Sequence, residues 1–221
     1  MTISNATRSR IKNLGEPIAL ALGRLGLTPD GLTLIGFGIT AIGAVLLALQ
    51  LWLAGGLVVF LGGVFDMFDG SLARATGRVS KLGAFMDSVF DRWGEALVYV
   101  GLVAGCTRAG FQLGAWLATV AMASAFLVSY ARAKSEGLGF TTGTGMAAIG
   151  LMPREVRLIV LTLGLVATGL AGGVTATLDA TGSAILAAAL AIVAIGATVT
   201  VIQRVLHVRA QAAGEASDRA S

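Results

Sequence analysis

Charge is what this sequence has least of. Only 13% of its 221 residues are Asp, Glu, Lys or Arg, and 56% are hydrophobic. An ordinary soluble domain is roughly 25% charged, so a soluble globular fold is excluded and an integral membrane protein is implied. The chain holds one cysteine, Cys106, which excludes an internal disulfide and reads as a small apolar packing residue. Large aromatics are sparse, with nine phenylalanines against thirty-one glycines. Lipid gives helices no hydrophobic reason to associate, so small residues that let backbones approach closely are the expected packing device. No internal repeat is visible, which removes the pattern of an inverted-repeat transporter. Nucleic acid is excluded as a partner, because the basic residues sit in separate short loops with no interleaved aromatics on which bases could stack.

Apolar stretches near 31–52, 54–73, 84–106, 112–131, 157–174 and 183–206 each approach the roughly 20 residues that a spanning helix needs. The expected fold is therefore all-α, with six transmembrane helices, the first two joined by the short "LWLAGG" as antiparallel neighbours. Ahead of them, Ile11, Leu14, Ile18, Leu22 and Leu25 recur at three- and four-residue spacing beside Arg8, Arg10, Lys12 and Arg24. That is the pattern of an amphipathic helix, lying in the interface or packed on the bundle. Glu16 and Pro17 interrupt it before it reaches signal-peptide length. One membrane domain over 1–210 and a disordered tail over 211–221 are expected.

The sixteen Lys and Arg give the orientation. With six crossings, fourteen of them fall on one side, Arg92 adjoins that side and Arg108 alone lies opposite. The positive-inside rule makes the rich side cytoplasmic, placing both termini there in a multi-pass cell (inner) membrane protein whose basic face suits anionic lipid or phosphate.

Against this background "GVFDMFDGSLARATGRVSKLGAFMDSVFDRW" (residues 63–93) places four acids in the membrane segments. Asp66 and Asp69 are three apart, and Asp87 and Asp91 four apart, so each pair shares a helical face. Consecutive antiparallel helices bring the two faces together. Four carboxylates near 5 Å apart would repel by roughly 3 kcal/mol per pair at an effective dielectric of 20, on the order of 20 kcal/mol in sum. Protonation, pairing with Arg74 and Arg92, or divalent cations could relieve that repulsion. All-oxygen ligation is what Mg²⁺, Mn²⁺ or Ca²⁺ prefers, and two ions sharing carboxylates would form a clamp for phosphoryl transfer. Gly70, Ala73 and Gly83 leave room for a phosphate, to which Arg74 offers a planar donor fork. Glu95 extends the Asp87/Asp91 face by one turn and reads either as a partner that supports these acids or, more plainly, as a salt-bridge partner of Arg92.

The pattern Asp66-x2-Asp69-Gly70-x2-Ala73-Arg74-x8-Gly83-x3-Asp87-x3-Asp91 resembles the signature of the CDP-alcohol phosphotransferases at every fixed position. The "GLTPDGLTLIG" stretch before the first span is similar as well. The resemblance implies an enzyme of phospholipid biosynthesis that moves a phosphatidyl group from CDP-diacylglycerol to an alcohol and releases CMP. It implies two divalent ions, normally Mg²⁺ with Mn²⁺ as the alternative, and a homodimer. Asp66, Asp69, Asp87 and Asp91 would be metal ligands, with Asp91 also the catalytic base. Asp30, Gly31, Leu32, Thr33, Gly70, Arg74 and Ser80 would bind the CDP-lipid.

Two further stretches, "SYARAKSEGLG" (129–139) and "GLMPREVRLIVL" (150–161), resemble the members whose acceptor is a phosphorylated polyol, inositol phosphate. Arg132, Lys134, Arg154 and Arg157 would then bind the acceptor's phosphate, for which fixed cations are suited. Glycerol 3-phosphate is the alternative acceptor. A cation transporter built on the same acids is the remaining alternative class, but it would place them near mid-membrane in broken helices, not toward one face. The loop "TTGTG" (141–145) lacks the ending of a phosphate-binding loop and reads as a flexible connector.

Overall fold

The computed structural model describes residues 17–140, 149–171 and 179–218, and among them the regular elements are all helices. A short α1 (17–24) precedes α2 (Pro29–Ala48), α3 (Trp52–Ala75), α4 (Lys81–Arg108), α5 (Gln112–Gly137), α6 (Arg154–Ala171) and α7 (Ala180–Asp218). Local chemistry marks the ends. Thr28 caps α2 by accepting the Gly31 N–H at 3.1 Å, and Pro29 follows where a missing N–H costs nothing. Ser80 caps α4 in the same way, accepting the Gly83 N–H at 2.9 Å. Helix α3 stops at Gly77, whose φ of +66° reverses the chain while the Arg78 N–H returns to the Ala73 carbonyl at 2.9 Å, satisfying a terminal carbonyl.

The six long helices close into a ring in the order α2, α3, α6, α7, α5, α4 and back to α2. Its centre is filled by side chains from every one of them, including Leu47, Val59, Leu102, Ala121, Leu165 and Leu190. Small residues set the closest approach, as expected: a Cβ at Gly101 or Gly105 of α4 would strike the carbonyl oxygens of Ala44 and Leu47 on α2. One end of the ring gathers the starts of α2, α4 and α6 and the ends of α3, α5 and α7. There Arg204 of α7 donates to the Val128 carbonyl of α5 and, at 3.0 Å, to the Ile149 carbonyl ahead of α6. Thr200 Oγ1 accepts the Met152 N–H at 2.9 Å. This end carries the candidate site.

Among the described residues, four helical segments are long and apolar enough to cross a membrane: α2, α3, α5 and residues Ala180–Gly214 of α7. The stretches expected as the other two spans form helices α4 and α6, whose apolar runs are interrupted by charges, at Asp87, Asp91, Arg92 and Glu95 in one and Arg154, Glu155 and Arg157 in the other. The expected "LWLAGG" connection is instead mostly the first turn of α3. The link is residues 49–51, where Gln50 takes a φ of +65° and the Leu51 N–H reaches the Leu46 carbonyl at 2.9 Å. The tail differs too. Helix α7 continues to Asp218, because the alanines, Gln211 and Glu215 that look featureless as a tail are strong helix formers that extend an existing helix. In α1, Ala19 and Leu22 pack with Leu32 and Leu72 while Ile18 and Leu25 stay exposed; Ile11 and Leu14 lie outside the described residues, as does the 141–145 loop.

Candidate functional site

Asp66 and Asp69 project from the last turns of α3, and Asp87 and Asp91 from the first turns of α4. One carboxylate oxygen from each of Asp66, Asp69 and Asp87 lies within 4.8 Å of the others. Both oxygens of Asp69 are held, one by the Thr33 hydroxyl at 2.6 Å and one by the Gly70 N–H. Three hard oxygen donors from two rigid helices, with one of them fixed by its own hydrogen bonds, fit a Mg²⁺- or Mn²⁺-type ion.

Asp91 is not one of that trio but lies beside Asp66. Its Oδ2 meets Arg154 Nη1 at 2.8 Å, and the same nitrogen lies 2.8 Å from Asp66 Oδ2. Arg92 is a looser neighbour at 3.5 Å and donates to the Ser88 carbonyl at 2.9 Å. The buried Asp91 Oδ1 has no hydrogen-bond partner among the described residues. Arginine does pair with the acids, then: Arg92 loosely with Asp91, as expected, and Arg154 of α6, far along the chain, more closely with Asp66 and Asp91, while Arg74 lines the neighbouring cavity.

Arg74 lines a cavity of about 270 Å³ beside the trio, together with Asp30, Thr33, Asp69, Gly70, Ala73, Arg78, Ser80, Gly83 and Asp87. A Cβ at Gly70 would sit 3.2 Å from Arg74 Nη1, so glycine lets this guanidinium lie over the backbone. Five of the seven residues expected to bind the CDP-lipid, Asp30, Thr33, Gly70, Arg74 and Ser80, share this cavity. Two do not. The Gly31 N–H is taken by Thr28, and Leu32 is 0% exposed, packed against Ala19 and Leu72. Asp30 and Thr33 share one face of α2, and residue 32 faces away from it. Arg78 was missed: only the reversal at Gly77 brings it back to the cavity, although a second arginine one helical turn after Arg74 was a visible signal.

The four cations expected around the acceptor's phosphate do not form one cluster. Arg154 covers the acids. Arg157 is 1% exposed and spent on Glu95, with Nε to Oε1 at 2.7 Å and Nη2 to Oε2 at 2.8 Å. Glu95 therefore pairs across the ring with Arg157, not with its neighbour Arg92. Arg132 makes an exposed pair with Glu136 at 2.9 Å and lines a groove between α4 and α5 with Arg92, Trp93 and Tyr130, while Lys134 is exposed on the last turns of α5. Helical periodicity separates residues two apart by most of a half-turn, which sends Arg132 and Lys134 in different directions. Arg204, read from sequence only as an orientation signal, is buried within electrostatic reach of Arg132 and Arg157.

A ring of apolar helices with three acids that could hold a cation, beside a cavity lined by two arginines at one end, suits phosphate chemistry at a membrane. Residues 26–210 match the family model for CDP-alcohol phosphatidyltransferase, and the chain belongs to that family. It is 37% identical over 155 residues to the archaetidylinositol phosphate synthase of Pyrococcus horikoshii, covering 70% of this chain and 77% of that one. It is 35% identical over 203 residues to the phosphatidylinositol phosphate synthase of Streptomyces avermitilis, covering 89% and 78%. The crystal structure of the Mycobacterium tuberculosis phosphatidylinositol phosphate synthase with CDP-DAG bound superposes with a TM-score of 0.75 at 28% identity, over 89% of this chain and 94% of that one. The structure of that enzyme with manganese and citrate gives a TM-score of 0.73 at 28% identity, over 88% of each.

Proposed function

We propose that the protein transfers the phosphatidyl group of CDP-diacylglycerol to a hydroxyl of inositol phosphate, giving phosphatidylinositol phosphate and CMP. The observation that carries this reading is the adjacency of three features: the acid trio, a cavity lined by Arg74 and Arg78, and Asp91 with its unpartnered Oδ1. The resemblance to phosphatidylinositol phosphate synthases supports the acceptor.

In this mechanism Asp30, Thr33, Gly70, Arg74, Arg78 and Ser80 hold the cytidine diphosphate part, with Arg74 and Arg78 against its phosphates. Asp66, Asp69 and Asp87, with Asp91, would hold two Mg²⁺ ions, or Mn²⁺ in their place. When bound, such ions would supply positive charge against the diphosphate and the transferring phosphoryl group. Thr33 keeps Asp69 in its binding rotamer. Asp91 Oδ1 accepts the proton of the acceptor's hydroxyl. The hydroxyl oxygen forms the new bond to the lipid-bearing phosphorus as the bridging bond of the diphosphate breaks, and CMP leaves with the electron pair. Arg154 receives the acceptor's phosphate, with Arg132, Lys134 and Arg204 adding positive potential. Six crossings with both termini and the site on the cytoplasmic face of the cell membrane, and a homodimer, complete the reading; the gathering of most basic residues at one end of the ring supports the orientation.

The test is to supply purified protein with CDP-diacylglycerol and, separately, inositol phosphate, glycerol 3-phosphate, inositol or serine, and to follow CMP. Release with inositol phosphate alone is expected. Release with glycerol 3-phosphate in its place would reassign the acceptor, and no release with any of the four would remove the reaction.

A further inference from the structure

The mechanism above leaves one ion pair without a role, its arginine buried and its glutamate half-buried. Arg157 spends a two-pronged fork on Glu95 and its remaining terminal nitrogen, Nη1, on the Met152 carbonyl at 3.0 Å. Those donors are unavailable to an incoming phosphate. Buried ion pairs are poor stabilisers, because taking both charges out of water offsets their attraction, so simple cohesion is a weak reason for this one. Its placement is more informative. Helices α4 and α6 are not neighbours around the ring, since α4 packs on α2 and α5, and α6 on α3 and α7; they face each other across its interior.

Two rungs cross that interior. The outer joins Arg154 to Asp91 and the inner joins Arg157 to Glu95. Glu95 follows Asp91 by four residues and Arg157 follows Arg154 by three, so the inner rung lies one helical turn beyond the outer on the same two faces. A small cavity of about 40 Å³ lies against both, lined by Thr40, Glu95, Tyr99, Arg154 and Arg157. The Met152 contact also ties Arg157 to the segment from which Arg154 emerges.

We propose that Glu95 and Arg157 form a positioning clamp: locked together across the ring, they set the height and rotation of the start of α6 so that Arg154 reaches Asp66 and Asp91. The clamp thereby governs how Arg154 competes with a cation for these acids. It also sets where Arg154 meets the acceptor's phosphate, a consequence that rests on the transferase reading, whereas the clamp itself does not.

The test starts from Mn²⁺ binding to the full-length purified protein, measured by electron paramagnetic resonance. Arg154→Gln removes a competing cation and should tighten Mn²⁺ by about tenfold. In the Glu95→Leu/Arg157→Met double variant, which leaves the net charge unchanged, Arg154 has lost its register and the same substitution should yield less than about a third of that gain. A larger gain in that background, or none from Arg154→Gln in the wild type, overturns the clamp. If the double variant does not fold, Arg157→Lys, which keeps the charge and loses the fork, is compared in its place by the same criterion. In the CMP assay the double variant should raise the acceptor KM about tenfold and leave the CDP-lipid KM within about twofold. A purely architectural pair would lower Tm and move neither KM. If Arg157 were itself a phosphate ligand, Glu95→Gln would leave the acceptor KM unchanged or lower it, and that result also overturns the proposal. Should the wild type release no CMP, the transferase reading falls and the Mn²⁺ comparison alone decides the clamp.

Discussion

On the α2 side of the acids a cavity of about 270 Å³ lies open between Asp30, Arg74 and Ser80, whereas on the α6 side Arg154 closes over Asp66 and Asp91 and the space behind it is about 40 Å³. The open side is framed by helix ends that local residues fix: a capped helix start at Thr28, a helix end reversed at Gly77 and a second capped start at Ser80. Its polar groups are held by hydrogen bonds such as that of Thr33 to Asp69, and its arginines remain turned toward the cavity. The closed side is assembled from α3, α4 and α6, and its arginines are engaged with carboxylates. A pocket made of local turns is ready to receive a charged ligand; one made of long-range ion pairs must first give up contacts. In the proposed mechanism the CDP-lipid side is therefore preformed, and on the acceptor side Arg154 must give up its contacts with Asp66 and Asp91 to meet a phosphate.

The sharpest way to separate the two sides is Asp91→Asn. It should lower kcat by about 10²- to 10⁴-fold, while binding of CMP, measured by calorimetry, stays near wild type; retained turnover would remove Asp91 as the base. Next in size is the single change Arg157→Met, which leaves the half-buried Glu95 carboxylate without its partner and should cost about 1–3 kcal/mol. The readout is a large fall in Tm in detergent, which the charge-balanced Glu95→Leu/Arg157→Met double should largely restore. On the open side, Thr33→Val deletes the hydroxyl that holds Asp69. Hydrogen bonds to charged groups contribute roughly 1.5–3 kcal/mol, so Mn²⁺ should bind about tenfold or more weakly; an unchanged Mn²⁺ Kd would mean that Asp69 does not depend on α2 for its orientation. The smallest effect is expected for Ser80→Ala, which removes the α4 cap at a cost of about 1 kcal/mol. A drop in Tm of a few degrees with little change in the acceptor KM would confine that residue to the open side.

Much of the open side was legible before any coordinates. The spacing of Asp66, Asp69, Asp87 and Asp91 on consecutive helices is a local property, because helical periodicity alone puts residues three and four apart on one face. The same periodicity, read more closely, separates Asp30 and Thr33 from the buried Leu32. The closed side was not legible in this way. Arg74 and Arg92 are the cations nearest the acids in sequence, and Arg92 does touch Asp91 at 3.5 Å, yet the closest contacts, 2.8 Å to both Asp66 and Asp91, come from Arg154.

What the amino-acid sequence determined by itself is an apolar, helical membrane chain with a carboxylate cluster at one end, because hydropathy, helix caps and side-chain periodicity act over a few residues. Only the tertiary structure decided which cation meets which acid: that Arg154 covers the cluster, that Arg157 crosses the ring to Glu95, and that Arg132 and Lys134 turn away. Closure of the ring brings α4 and α6 face to face, and an ion pair forms where geometry allows two groups to touch, however far apart they lie along the chain.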